Sequence, residues 1–123
     1  MIEKTISAAA LTVLLFASLT ASSARAHGKL VASEPTAGVE LPAAPKQIRL
    51  RFNEKLESAF SKIGLVDASE AAIALPAATV DKSDPNVMVA AVPALGAGQY
   101  RVRWSVMTRD GHKTRGEFAF KVR

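Results

Sequence analysis

Apolar and polar residues alternate along three stretches of the chain. In Gln47–Phe52 and in residues 100–106 every second residue is apolar, and residues 117–123 repeat the pattern. A period of two places successive side chains on opposite faces of a strand, whereas a helix would need a period of 3.6. The three stretches therefore predict β-strands that each have one buried face and one solvent-facing side.

Four shorter apolar segments have the same character and are separated by turn-forming residues. They are residues 29–31, 62–66, 72–75 and 86–90. About seven short strands in one domain predict an all-β fold, an antiparallel Greek-key β-sandwich of the immunoglobulin-like or cupredoxin-like kind. A closed barrel is the alternative. Residues 57–61 could form one helical turn, and we expect no helix of normal length.

The first 26 residues follow a different pattern. Glu3 and Lys4 precede an uncharged, mostly apolar segment, residues 7–19, which is shorter than the roughly 20 residues of a membrane-spanning helix. Small residues follow and end in Ala24-x-Ala26. The pattern predicts a signal peptide over residues 1–26 that is cleaved on export. We expect a mature chain of residues 27–123 that begins at His27 and has no membrane span.

Composition limits the mature chain to one modest domain. Its 97 residues, which are the 123 of the full sequence less 26, can bury a single core. The formal net charge falls from +5 to +4, because Glu3, Lys4 and Arg25 are removed. The chain has no cysteine, which excludes disulfides and thiolate metal sites.

Four arginines alternate with apolar residues on two predicted strands, and we expect them to face solvent. They are Arg49, Arg51, Arg101 and Arg103. Such a stripe could bind an acidic partner or nucleic acid. Nucleic-acid binding would need aromatic residues among the charges, whereas the aromatic residues fall mostly on apolar-face positions. We therefore expect no nucleic-acid partner.

Few residues offer chemistry, and the candidates are His27, Glu54, Asp110 and His112. The chain has no glycine-rich phosphate loop and no Ser-His-Asp spacing. Asp110 and His112 are two residues apart, so an extended backbone would point both to one face, where they could hold a metal ion. The alternative is a solvated hairpin turn over residues 108–113, with Gly111 at positive φ.

A histidine at the start of the mature chain strengthens the metal interpretation. The α-amine and ring Nδ1 of His27 can close a six-membered chelate, and an α-amine with a pKa of about 7.7–8.0 loses its proton readily near neutral pH. The ring of His112 would add a third nitrogen, so that the three nitrogens form a T-shaped set around the metal ion. Asp110 would add an oxygen ligand. This donor set suits Cu(II) in tetragonal geometry. The alternative is cleavage elsewhere, or a frayed terminus without a partner.

Several motifs follow one another along the chain. They are His27-x-Lys29-Leu30-Val31, Ser33-x-Pro35-x-x-Gly38, Ile48-x-Leu50-x-Phe52-x-Glu54-x-Leu56, Gly98-x-Tyr100-x-Val102-x-Trp104 and Asp110-x-His112-x-x-x-Gly116-x-x-x-Phe120-x-Val122. Taken in this order, they resemble the CopC family of periplasmic copper-binding proteins. Each motif is ordinary alone, but their order covers the chain from His27 to Val122.

The resemblance implies one Cu(II) per chain in a periplasmic β-sandwich or barrel. The expected ligands are the amine and ring of His27, the ring of His112 and the carboxylate of Asp110. Glu54 would lie close to the metal, either as a weak axial ligand or outside the ligand set. The alternative for Glu54 is an exposed carboxylate at a strand end.

Methionine content separates this chain from some members of the family. Those members have a methionine-rich loop that binds Cu(I), whereas the mature chain has only Met88 and Met107. We expect both residues to pack in the core or at an edge. Such a loop would be expected in residues 67–86, which contain no methionine and no histidine. The sequence is therefore similar to the Cu(II)-only type.

These features predict a monomeric copper carrier or buffer in the periplasm, and not an enzyme. It would act in copper homeostasis or resistance and could pass Cu(II) to a CopD-like inner-membrane importer. One alternative is a copper-dependent oxidase of the histidine-brace type, which peroxide production with ascorbate would reveal. The other is a metal-free immunoglobulin-like module, which would not bind copper.

Overall fold

The computed structural model describes residues 28–123, which are almost entirely β-structure. The strands in this range are β1 (Leu30–Glu34), β2 (Glu40–Leu41), β3 (Gln47–Phe52), β4 (Lys62–Asp67), β5 (Ala72–Ile73), β6 (Thr79–Val80), β7 (Val87–Ala91), β8 (Gly98–Met107) and β9 (Lys113–Val122). Within residues 28–123, a 3₁₀ turn at Ser58–Phe60 confirms the helical turn expected at residues 57–61. Among residues 28–123 there is no helix of the length and apolarity that crossing a bilayer requires. The predicted signal peptide and His27 lie outside the described residues.

The strands form two sheets. One has four strands in the order β1-β3-β7-β6, and the other has five in the order β2-β9-β8-β4-β5. Neighbouring strands run antiparallel, except that β2 runs parallel to β9. The chain crosses repeatedly between the sheets, and a common core lies between them. The predicted sandwich is therefore confirmed, with one parallel pair that the sequence pattern did not indicate.

The core follows the alternation of the sequence. On β8, Tyr100, Val102 and Val106 are buried, whereas Arg101 and Arg103 are exposed. The central cluster comprises Ile48, Leu50, Phe52, Leu56, Leu65, Met88, Tyr100, Val102, Val106, Phe120 and Val122. Phe60 departs from the expectation that aromatic residues face the core, because it is 62% exposed.

All seven predicted strand segments overlap a strand of the structure. The differences are at the ends: β8 and β9 each run for ten residues, longer than the predicted stretches. The sequence pattern missed β2 and β6, because each has only two residues and two residues cannot display a period. These short strands lie at the edges of the sheets.

The outward arginines are matched by carboxylates. Arg49 lies 3.2 Å from Asp81, and Arg51 lies 2.6 Å from Asp84. Arg101 and Arg103 each contact the same two glutamates, Glu70 and Glu117. The stripe is thus locally neutralised, which weakens its attraction for a polyanion.

The end of β3 meets the β8–β9 turn at one end of the sandwich. Leu56 forms an isolated bridge with Thr108. The amide of Arg109 donates to the carbonyl of Lys55 at 3.0 Å, and the amide of Glu57 donates to the carbonyl of Met107 at 2.8 Å. These backbone contacts join the two sheets where the candidate metal ligands lie.

Candidate metal centre

The connection between β8 and β9 is a turn closed by its own backbone. The amide of Thr108 donates to the carbonyl of His112 at 2.9 Å, and the amide of Gly111 donates to the carbonyl of Thr108 at 2.9 Å. Gly111 has a φ of +91°, which glycine adopts without a Cβ penalty. The turn over residues 108–113 is therefore confirmed, and it corrects one expectation: Asp110 and His112 meet through the turn and not on an extended strand.

Asp110 and His112 are in direct contact. Oδ1 of Asp110 lies 3.0 Å from Nδ1 of His112 and also accepts a hydrogen bond from the hydroxyl of Thr108. The hydrogen bond from Thr108, followed by that from His112, lowers the pKa of Asp110 to about 2. The carboxylate is therefore ionised at neutral pH, in the form that binds a cation.

Glu54 joins this pair from the other sheet. One potential ligand atom from each of Glu54, Asp110 and His112 lies within 4.8 Å of the others. Metal bonds of about 2.0–2.2 Å to nitrogen and oxygen bring ligand atoms to within about 4.4 Å of each other, so little rearrangement is needed. One imidazole and two carboxylates form an N,O donor set that fits Cu(II) or Zn²⁺.

The cluster is open to solvent. The side chains of Asp110 and His112 are 49% and 52% exposed. A shallow cavity of about 390 Å³ lies beside it, lined by Asn53, Glu54, Lys55, Asn86, Arg109 and Asp110. An ion bound here could exchange without the fold opening.

The first described residues of the chain are anchored at the same place. The carbonyl of Gly28 accepts a hydrogen bond of 2.8 Å from the hydroxyl of Thr114. The amide of Lys29 donates to Oδ1 of Asn53 at 2.8 Å, and the amide of Asn53 donates to the carbonyl of Lys29 at 3.0 Å. The residue that follows His27 is therefore fixed beside the cluster. His27 itself lies outside the described residues, so its ligation stays a prediction.

Sequence reasoning did not single out Thr108, Asn53 or Thr114. A hydroxyl residue at the start of a turn, two residues before Asp110, is a signal of side-chain hydrogen bonding and could have indicated Thr108. The roles of Asn53 and Thr114 depend on contacts between segments far apart in sequence, so no local pattern marks them.

The described residues include two methionines, Met88 and Met107. Met88 is 1% exposed within the core, which confirms its predicted packing role. Met107 is half-buried at the end of β8.

Comparison with known proteins places the chain in a family. Residues 30–123 match the CopC domain. The chain is 40% identical over 120 residues to "Copper resistance protein C" of Pseudomonas syringae pv. tomato, covering 90% of this chain and 94% of that protein. It resembles the crystal structure of CopC from Methylosinus trichosporium OB3b, with a TM-score of 0.74, 31% identity and coverage of 78% of this chain and 93% of that one. It also resembles PcoC of Escherichia coli, described as a methionine-rich copper resistance protein, with a TM-score of 0.69, 32% identity and coverage of 79% and 99%. The chain belongs to the CopC family.

Proposed function

We propose that this protein binds one Cu(II) ion in the periplasm and acts as a copper carrier or buffer in copper homeostasis and resistance. The observation that carries the proposal is the convergence of Glu54, Asp110 and His112, whose ligand atoms lie within 4.8 Å of one another, beside the anchored residue Gly28. The names of the relatives, which refer to copper resistance, support copper as the ion.

The ligand set that we propose is completed by His27. Consecutive Cα atoms are about 3.8 Å apart, so the anchored Gly28 limits how far residue 27 can be from the cluster. A chain that begins at His27 offers its α-amine and ring nitrogen, His112 offers an imidazole nitrogen, and Asp110 offers a carboxylate oxygen. Three nitrogens and one oxygen favour Cu(II) in tetragonal geometry. Glu54 is then a weak axial ligand, or it accepts a hydrogen bond from a ligand.

A carrier must also release its ion, and the exposure of the site supports this role. Asp110 and His112 are about half exposed, so another protein could reach the ion and replace the ligands one at a time. We propose a CopD-like membrane protein as the recipient and a monomer as the carrier. We propose no catalytic role, and failure of the copper-loaded protein to produce peroxide with ascorbate is the expected result.

The experiment that tests this proposal is Cu(II) titration of the chain that begins at His27, followed by electron paramagnetic resonance. We expect one tetragonal signal with nitrogen hyperfine structure at one equivalent. A chain that retains Ala26 has an amide in place of the amine. Its affinity should fall by more than about 100-fold, the upper range for changes outside the ligand set.

His112→Ala should cause a loss of similar size and leave the metal-free fold intact, because a turn residue contributes little packing. Arg109→Ala, in the same turn, is the matched control and should bind as the wild type does. A wild-type chain with only the spectrum of aqueous copper would refute the function. Affinity unchanged by retained Ala26 would refute the terminal chelate.

A further inference from the structure

Thr108 is a buried polar residue at the start of the turn over residues 108–113, which carries Asp110 and His112. Its exposure is 1%, and the other buried polar residue in the described range is Ser61, at 6%. A hydroxyl that is removed from water needs hydrogen-bond partners, or its burial destabilises the fold. The partners of Thr108 therefore indicate what the residue does.

Both hydrogen-bonding functions of the Thr108 hydroxyl are directed at the candidate ligands. It donates to Oδ1 of Asp110, and its oxygen accepts from the amide of His112 at 3.1 Å. The carbonyl of His112 is a more distant acceptor at 3.3 Å. One hydroxyl group thus fixes the carboxylate of one candidate ligand and the backbone of the other.

The methyl group of Thr108 faces the anchored start of the chain. Its Cγ2 lies 3.2 Å from the position that a Cβ on Gly28 would occupy. Thr108 therefore hydrogen-bonds to Asp110 and His112 and lies beside Gly28, the residue that follows His27.

We infer that Thr108 is a positioning residue that holds Asp110 and His112 in their copper-binding arrangement before copper arrives. This inference rests on the proposed function, in which these two side chains bind the ion. A ligand held in place loses less conformational entropy on binding, and geometry about 1 Å too loose is a common cause of weak sites. Partners that orient metal ligands typically contribute about 10–100-fold in affinity.

Three variants separate positioning from simple structural support. Thr108→Val keeps the volume and one methyl but removes the hydroxyl, whereas Thr108→Ser keeps the hydroxyl and removes the methyl. Ser61→Ala is the matched control, because the Ser61 hydroxyl donates to the carbonyl of Glu57 at 2.7 Å and accepts from the amide of Met107 at 3.2 Å, with no contact to a candidate ligand in those bonds.

Each variant, beginning at His27, is measured for metal-free unfolding, Cu(II) affinity by competition, and the electron paramagnetic resonance spectrum at one equivalent. We expect Thr108→Val to bind Cu(II) about 10–100-fold more weakly, with an altered hyperfine pattern. Thr108→Ser should keep the wild-type spectrum and bind within about 10-fold of the wild type, below the range for a lost orienting partner. Ser61→Ala should lose stability but keep the wild-type affinity and spectrum.

Wild-type binding and an unchanged spectrum in Thr108→Val would overturn the inference while leaving the proposed function intact. If Thr108→Val does not fold, Thr108→Ala replaces it with the same measurements, and failure of both to fold would assign the residue a structural role and overturn the inference. If the wild-type chain does not bind copper, the proposed function fails and the inference with it.

Discussion

Gly28→Ala tests whether the start of the domain is held as rigidly as the structure indicates. Gly28 has a φ of +68°, and an added Cβ would lie 2.9 Å from Oγ1 of Thr114 and 3.2 Å from Cγ2 of Thr108. The Thr114 hydroxyl cannot simply rotate away, because it donates to the carbonyl of Gly28. The substitution must therefore strain the backbone and also displace a neighbour.

Gly38→Ala separates these two effects. Gly38 has a φ of +77°, but nothing lies within 4 Å of the added Cβ, so only backbone strain of about 1–2 kcal/mol is expected. Gly28→Ala adds a clash of about 1–3 kcal/mol. The free energy of unfolding should fall by about 1–2 kcal/mol for Gly38→Ala and about 2–5 kcal/mol for Gly28→Ala. At about 4–8 °C per kcal/mol, the Tm of Gly28→Ala should be at least about 4 °C below that of Gly38→Ala.

The assay is thermal and urea unfolding of both metal-free variants, prepared to begin at His27. Equal stability of Gly28→Ala and Gly38→Ala would refute the argument, since it would mean that the Thr114 contact yields at no cost. Copper titration adds a second readout. Under the proposed function, Gly28→Ala should weaken Cu(II) binding, and Gly38→Ala should leave it unchanged.

Two further substitutions test contacts outside the turn over residues 108–113. Gly116→Ala should destabilise the protein by about 1–3 kcal/mol, because the added Cβ would lie 2.5 Å from the ring of Trp104. An unchanged Tm together with unchanged fluorescence of this single tryptophan would contradict the close packing of Gly116 against Trp104. Asp67 accepts hydrogen bonds from the amides of Ala71 and Ser69, which lower its pKa. A lowered pKa stabilises the fold above the unfolded value of about 3.9, and that stability is lost as pH falls through the folded pKa. Asp67→Asn should therefore lose less stability than the wild type between about pH 5 and about pH 2 in urea unfolding, and an identical loss would contradict this.

Period-two alternation was sufficient to predict the fold class, because each long strand has one buried face. On β8 the buried Val102 and the exposed Arg103 follow the predicted alternation. Alternation says nothing about which strands are neighbours. The parallel pairing of β2 with β9 and the shared contacts of Arg101 and Arg103 with Glu70 and Glu117 depend on the arrangement of the whole chain, so the sequence pattern could not predict them.

The proximity of candidate ligands can be predicted from the sequence where they lie in one short segment. Asp110 and His112 lie within one turn, so their proximity follows from the sequence. We expected an extended backbone to bring them together, whereas the structure has a closed turn. Glu54 meets them across the two sheets, and only the family resemblance predicted its position near a metal site. Thr108 was missed because its importance comes from burial, which a single hydroxyl residue in a turn does not reveal.

The register between β1 and β3 explains why the start of the domain reaches this site. Leu30 pairs with Phe52 in an antiparallel ladder, so the residues that precede Leu30 run alongside those that follow Phe52, including Glu54. Antiparallel pairing thus brings a chain start and a strand end together without any dedicated loop. Among the strands of residues 28–123, β1 lies at the edge of its sheet and its one neighbour is β3. It can therefore loosen before the core does. Under the proposed function, a loosened β1 moves His27 away from Asp110 and His112, so copper affinity should fall before the fold is lost.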